Sequence, residues 1–197
     1  MSSAVIEIRR HFDSTAWQVA SASTASGSTL LLTWTVEPEP VDAGIPPAIR
    51  PVLAEALCGL GPCWFAGDEG SGAPVAMLPL RRKLLRRQAP VFRVERAGDL
   101  LPAFESGTFD WSMAAQWIVV GAQAGGDSDR ILEVLRSLLE EWRLPVAWPE
   151  GVSAIIQAGV DGDAAGCHCP TRDLERELVE SLERRAMANG VRIRAVD

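Results

Sequence analysis

The 197-residue chain predicts an α+β fold, with α/β as its close neighbour, and three observations carry that expectation. Apolar residues alternate with period two at Leu30, Leu32, Trp34 and Val36, and again from Phe109 to Val120. Two other stretches carry apolar stripes at helical spacing, each preceded by a capping residue. The strand-like and helix-like segments interleave along the chain, so they predict one mixed sheet covered by two or three helices. A chain of this length buries a full core without a metal or disulfide, and residues 1–197 are read as one domain.

The elements follow in order. Ile6 and Ile8 alternate with Glu7 and Arg9, a half-buried strand, and Trp17 and Val19 repeat the pattern around Gln18. The strand over Leu30–Val36 runs into EPEPVDAGIPP, whose prolines make residues 37–46 a surface loop. Residues 47–58 read as a helix, because Pro51 is tolerable near its first turn and Gly59 stands ready to stop it. Residues 59–73 are glycine-rich and read as a long loop carrying Trp64 and Phe65. A strand is expected at 74–78 and another at VFRVE, residues 91–95.

The longest alternation, residues 109–120, is expected to form the central strand, with Trp111 and Trp117 on its buried face. Asp127 or Ser128 then caps a helix whose stripe is Ile131, Leu135, Leu138 and Trp142. Residues 151–160 read as a buried strand and DGDAAGCHCP, residues 161–170, as a tight loop. Thr171 caps a helix with Leu174, Leu178 and Leu182 on its buried face, Asn189-Gly190 closes it, and VRIRAV is the last strand.

Composition bounds the function. There is no tyrosine, Lys83 is the single lysine and Asn189 the single asparagine, a bias that reads as a GC-rich bacterial genome. The formal net charge of −7 argues against a nucleic-acid platform, because phosphate binding is dominated by lysine and arginine. The first residues lack a signal-peptide core, and no apolar run reaches the roughly 18 residues of a membrane span. A soluble, cytoplasmic protein without a membrane partner is the expectation.

Candidate sites are few. RRKLLRR packs five cations into seven residues, with Arg82 and Arg86 one helical turn apart. The segment is either a solvated face or a contact for an acidic partner. Trp64 and Trp148 fall in expected loops and are the aromatic contact candidates. Cys58 and Cys63, with Cys167 and Cys169 around His168, offer zinc or thiol chemistry. Their spacings of four and one residues suit a shared zinc poorly, so the two pairs are expected to lie apart and a serine at 167 or 169 to be tolerated.

DGDAAG opens like a calcium loop but has Arg172 where the bidentate glutamate belongs. GAQAGGDSD lacks the lysine of a phosphate cradle. No serine-hydrolase or zinc-protease motif occurs, and the only histidines are His11 and His168. These readings favour a non-catalytic protein-binding module, an adaptor, inhibitor or neutralising partner, over an enzyme, with no cofactor called for. The alternative is a zinc- or thiol-dependent protein using the two cysteine segments.

Overall fold

In the computed structural model, eight strands form one mixed sheet with four helices packed on it, an α+β architecture. The structure describes residues 3–11, 27–37, 45–67, 91–105, 117–122, 127–141, 148–158 and 164–196. The elements are β1 (Ser3–Arg9), β2 (Ser28–Glu37), α1 (Arg50–Cys58), β3 (Cys63–Gly67), β4 (Val91–Val94), α2 (Ala97–Glu105), β5 (Trp117–Ala122), α3 (Ser128–Glu141), β6 (Val152–Ala158), β7 (Ala164–Cys169), α4 (Arg172–Ala188) and β8 (Arg192–Val196). The strand order is β4-β3-β5-β6-β7-β2-β1-β8. Every neighbouring pair is antiparallel except β1 with β8. Because β7 opposes β2, β2 opposes β1 and β1 parallels β8, the chain leaves β7, crosses two strands through α4 and returns in the same direction.

Both faces of the sheet are covered, and strand alternation decides which residue goes where. On one face Ile6, Ile8, Leu30, Leu32, Trp34, Phe65, Val119 and Ile156 meet α1, α2 and α4 through Val52, Leu53, Leu100, Leu178 and Leu182. On the other face Trp64, Ile118, Val120 and Ile155 meet Ile131, Leu135 and Leu138 of α3. Each fully buried Leu or Ile in these layers contributes about 1.5–3 kcal/mol.

The helix ends are local chemistry. Asp127 caps α3 through its Oδ1, which accepts the Asp129 N–H at 3.0 Å. Thr171 caps α4 by accepting the Leu174 N–H at 3.2 Å. At the far end Gly190 takes φ +68°, and Val191 N–H reaches Ala186 O at 2.9 Å, a Schellman closure.

Several expectations are corrected. The 59–73 loop contains β3, whose Cys63, Trp64 and Phe65 are all buried. The 161–170 loop contains β7, in which every residue from Ala164 to Cys169 is buried. These two strands pair on both edges, so their backbone groups bond to β4 and β5 or to β6 and β2 rather than to water. The sheet carries four helices among the described residues where two or three were expected; α2, over a span that the sequence reading left unassigned, is the addition. Of the central strand expected at 109–120, residues 117–120 lie in β5, which stands between β3 and β6 and runs on to Ala122. Residues 109–116, the 74–78 strand, Trp17, Val19 and Trp111 lie outside the described residues. No helix among the described residues is long and apolar enough to cross a membrane.

Candidate functional site

The two cysteine pairs are built by different devices. Cys58 is the last residue of α1 and Cys63 the first of β3, with Gly59-Leu60-Gly61-Pro62 reversing the chain between them. Gly61 holds φ +115°, and a Cβ there would stand 2.5 Å from the Ala122 carbonyl oxygen, so the turn requires glycine. The next residue bonds to the same place, Ala122 N–H donating to Pro62 O at 2.8 Å. Gly59 N–H donates to Glu55 O at 3.0 Å and finishes the helix. Both cysteines are thereby anchored, and their sulfurs lie 3.9 Å apart. Cys58 is partly exposed and Cys63 fully buried.

Cys167 and Cys169 sit on alternate positions of β7 and face the three-helix side of the sheet. Burial pushes the Cys167 thiol well up. It also pushes Cys169 up to about 12, with the Glu175 carboxylate adding to the effect. Sheet order puts β5 and β6 between β3 and β7. Three strand spacings of about 4.8 Å separate the two cysteine pairs by roughly 14 Å, whereas one zinc needs every sulfur at about 2.3 Å. The four sulfurs do not converge, and among the described residues no three metal-ligating side chains group together.

His168 points to the face opposite Cys167 and Cys169, so it activates neither. Its Nδ1 lies 3.0 Å from Thr29 Oγ1 on β2, and its Nε2 is buried without a hydrogen-bond partner. Burial pushes its pKa down to about 3, so the ring is neutral at physiological pH. Gln157 on β6, buried two register positions away opposite Gly166, leaves both amide atoms without partners. Of the two histidines, His11 is exposed just beyond β1.

The aromatic contact candidates separate. Trp64 is 3% exposed and packs on the α3 side, with the exposed Arg93 guanidinium 5.8 Å from its ring centre. A ring so enclosed offers a partner almost no surface. Trp148 is partly buried against the α3-side core, and its Nε1 donates to Val152 O at 2.8 Å. Val152 N–H returns a bond to Pro149 O at 3.3 Å, and Gly151 at φ +79° supplies the third position of a type II turn. The Arg130–Glu150 ion pair, at 3.8 Å, ties this turn to the start of α3. Arg82 and Arg86 lie outside the described residues.

What sequence reasoning missed is the meeting of Cys58 with Cys63. The signal was present: two glycines and a proline after a helical segment mark a reversal, and a four-residue reversal returns the chain to its starting point. Comparison with protein-family models, curated proteins and solved structures finds no match for this chain.

Proposed function

We propose that the protein is a non-catalytic protein-binding module, an adaptor, inhibitor or neutralising partner, and that Trp148 belongs to its contact surface. The observation that supports this reading is the state of the Trp148 indole. It meets solvent, yet its position is held by the bond to Val152 O and by packing on the core. Immobilising a rotamer-rich side chain costs about 0.5–1.5 kcal/mol on association, and a ring already held has little left to lose. Tryptophan is also the residue type most enriched where truncation weakens an interface. Asp127, Asp129 and Glu133 at the start of α3 and Glu150 in the turn are exposed, and of the exposed side chains described there only Arg130, which pairs with Glu150, is a cation; this suits a partner with a basic face.

The reading includes a cytoplasmic setting in a GC-rich bacterium. All four cysteines are free thiols, the form a reducing compartment maintains. Crosslinking of the purified protein in extract of its host, followed by identification of the captured protein, tests the proposal. Capture of one defined protein that Trp148→Ala reduces at least about tenfold fits the reading. Equal capture by Trp148→Ala, at unchanged stability, removes this surface from it. A second reading, a thiol-dependent protein, is favoured by a separate observation, the 3.9 Å approach of the Cys58 and Cys63 sulfurs.

A further inference from the structure

The turn between α1 and β3 presents one thiol to solvent and keeps a second directly behind it. A disulfide holds its sulfurs about 2.05 Å apart, so closing the 3.9 Å gap requires an approach of about 1.9 Å. Rotation of the partly exposed Cys58 side chain is a displacement of that size, and it leaves the Gly61 turn and the Pro62–Ala122 bond in place. An incoming reagent meets Cys58 first, since Cys63 has no exposed surface. The β7 cysteines have neither property: both are buried, and neither meets a second sulfur.

We infer that Cys58 and Cys63 are a redox-active dithiol that exchanges with disulfide substrates, Cys58 attacking and Cys63 resolving. The inference rests on the thiol reading and is independent of the Trp148 surface. Cys58 loses its proton to solvent and its sulfur attacks one sulfur of the substrate disulfide R–S–S–R. That bond breaks, one RS⁻ leaves and a mixed disulfide forms on Cys58. Cys63 then loses its proton, attacks the Cys58 sulfur and expels the second RS⁻. Two electrons pass from the dithiol to the substrate, and the two released protons convert the leaving thiolates into two RSH.

The surroundings divide the labour in that direction. The Cys63 thiol hydrogen-bonds the Cys58 sulfur and holds the Cys58 thiol below the ordinary cysteine range, although partial burial and the Asp99 carboxylate raise it. The same bond, with burial and the Glu95 carboxylate, pushes Cys63 well up. The thiolate is the nucleophile, so the exposed sulfur is also the one poised to react.

The test uses the reduced full chain and glutathione disulfide near neutral pH, with an acid quench, intact mass and peptide mapping. Wild type is expected to lose two hydrogens, carry a Cys58–Cys63 crosslink and retain no glutathione. Cys63→Ser is expected to keep one glutathione on Cys58, and Cys58→Ser to take up none. Iodoacetamide labelling of native wild type, which needs no variant to fold, is expected to modify Cys58 roughly tenfold faster than Cys167 or Cys169. Glutathione retained on Cys58 of wild type without closure overturns the dithiol while leaving a single reactive thiol. Uptake at Cys63 in Cys58→Ser overturns the assignment of roles. Failure of both cysteines to react, with the urea-unfolded chain reacting fully, overturns the inference and the thiol reading together.

Discussion

Cys58 and Cys63, with four residues between them, bring their sulfurs to 3.9 Å, while Cys167 and Cys169, with one residue between them, remain separate in the core. The closer pair in sequence is the more distant in chemistry. On an extended strand, residues two apart point the same way but stand about 6.6–6.8 Å along the chain. Between Cys58 and Cys63 the chain turns back on itself, which cancels the sequence separation. Environment then widens the difference. The turn leaves Cys58 within reach of solvent, whereas β7 is flanked by β6 and β2 on its edges and covered on its faces. Spacing in a sequence reports thiol chemistry only once the backbone between the thiols is known.

The largest expected effect tests how completely β7 is sealed. His168 is neutral in the folded protein, its pKa lowered by burial from 6.5 to about 3. Between these values the unfolded chain binds a proton that the folded protein does not, so unfolding gains as pH falls. Stability should therefore be unaffected by this group above pH ~6.5 and decline by about 1.4 kcal/mol per pH unit below it, on the order of 4–5 kcal/mol over the whole window. Urea melts at stepped pH measure the slope, and His168→Gln should remove this part of it. An unchanged slope in the variant would mean that water reaches the ring.

The second expectation concerns the turn. Gly61→Ala places a Cβ 2.5 Å from the Ala122 carbonyl oxygen at φ +115°, and should cost about 2–4 kcal/mol while slowing Cys58–Cys63 crosslinking. A variant as stable as wild type that still crosslinks at the wild-type rate would show that the turn does not set the sulfur separation.

Serine substitutions compare the pairs directly. Cys167→Ser buries a hydroxyl in an apolar layer and should cost about 1–3 kcal/mol, more than the little effect expected when residues 161–170 are read as a loop. Cys58→Ser, at a partly exposed position, should cost under ~1 kcal/mol. Chemical denaturation that ranks them the other way would reverse the contrast between core and surface thiols. An effect smaller than that of Cys167→Ser belongs to Trp148→Phe, which keeps an aromatic ring but removes the donor to Val152 O; about 0.5–1.5 kcal/mol should be lost in the same assay.

What was legible in the sequence is what local chemistry decides. α3 and α4 announce themselves by stripe and cap, because Asp127 and Thr171 satisfy backbone donors two or three residues away. β2 and β6 are rich in large apolar residues and read correctly as strands. β7 did not, since AAGCHC holds no β-branched residue and follows turn-forming DGD. Its small side chains suit the place it occupies: Cys167 lies between Leu30 and Ile156 in the sheet, and Gly166 between Leu31 and Gln157. That requirement comes from neighbouring strands and leaves no periodic trace. β3 was obscured in the same way by the glycines on either side of it. For the candidate site, the residue types were visible and the partnership was not. Trp64 and Trp148 looked alike as loop tryptophans until β3 enclosed one of them.

The parallel pairing of β1 with β8 brings Ser3 and Arg192 together across 189 positions of sequence. On a ribosome adding about 5–20 residues per second, that interval lasts roughly 10–40 s. β2 covers one edge of β1 soon after it is made, but the other edge waits until β8 has followed. An uncovered edge is a template for pairing with another nascent chain, and charged side chains beside it discourage such pairing. Glu7 and Arg9, bonded to each other at 2.6 Å, lie on the waiting strand; Arg194 arrives with β8 and adds its own bond to Glu7 at 3.0 Å. The same carboxylate that guards the unfinished sheet thus becomes the latch that closes it.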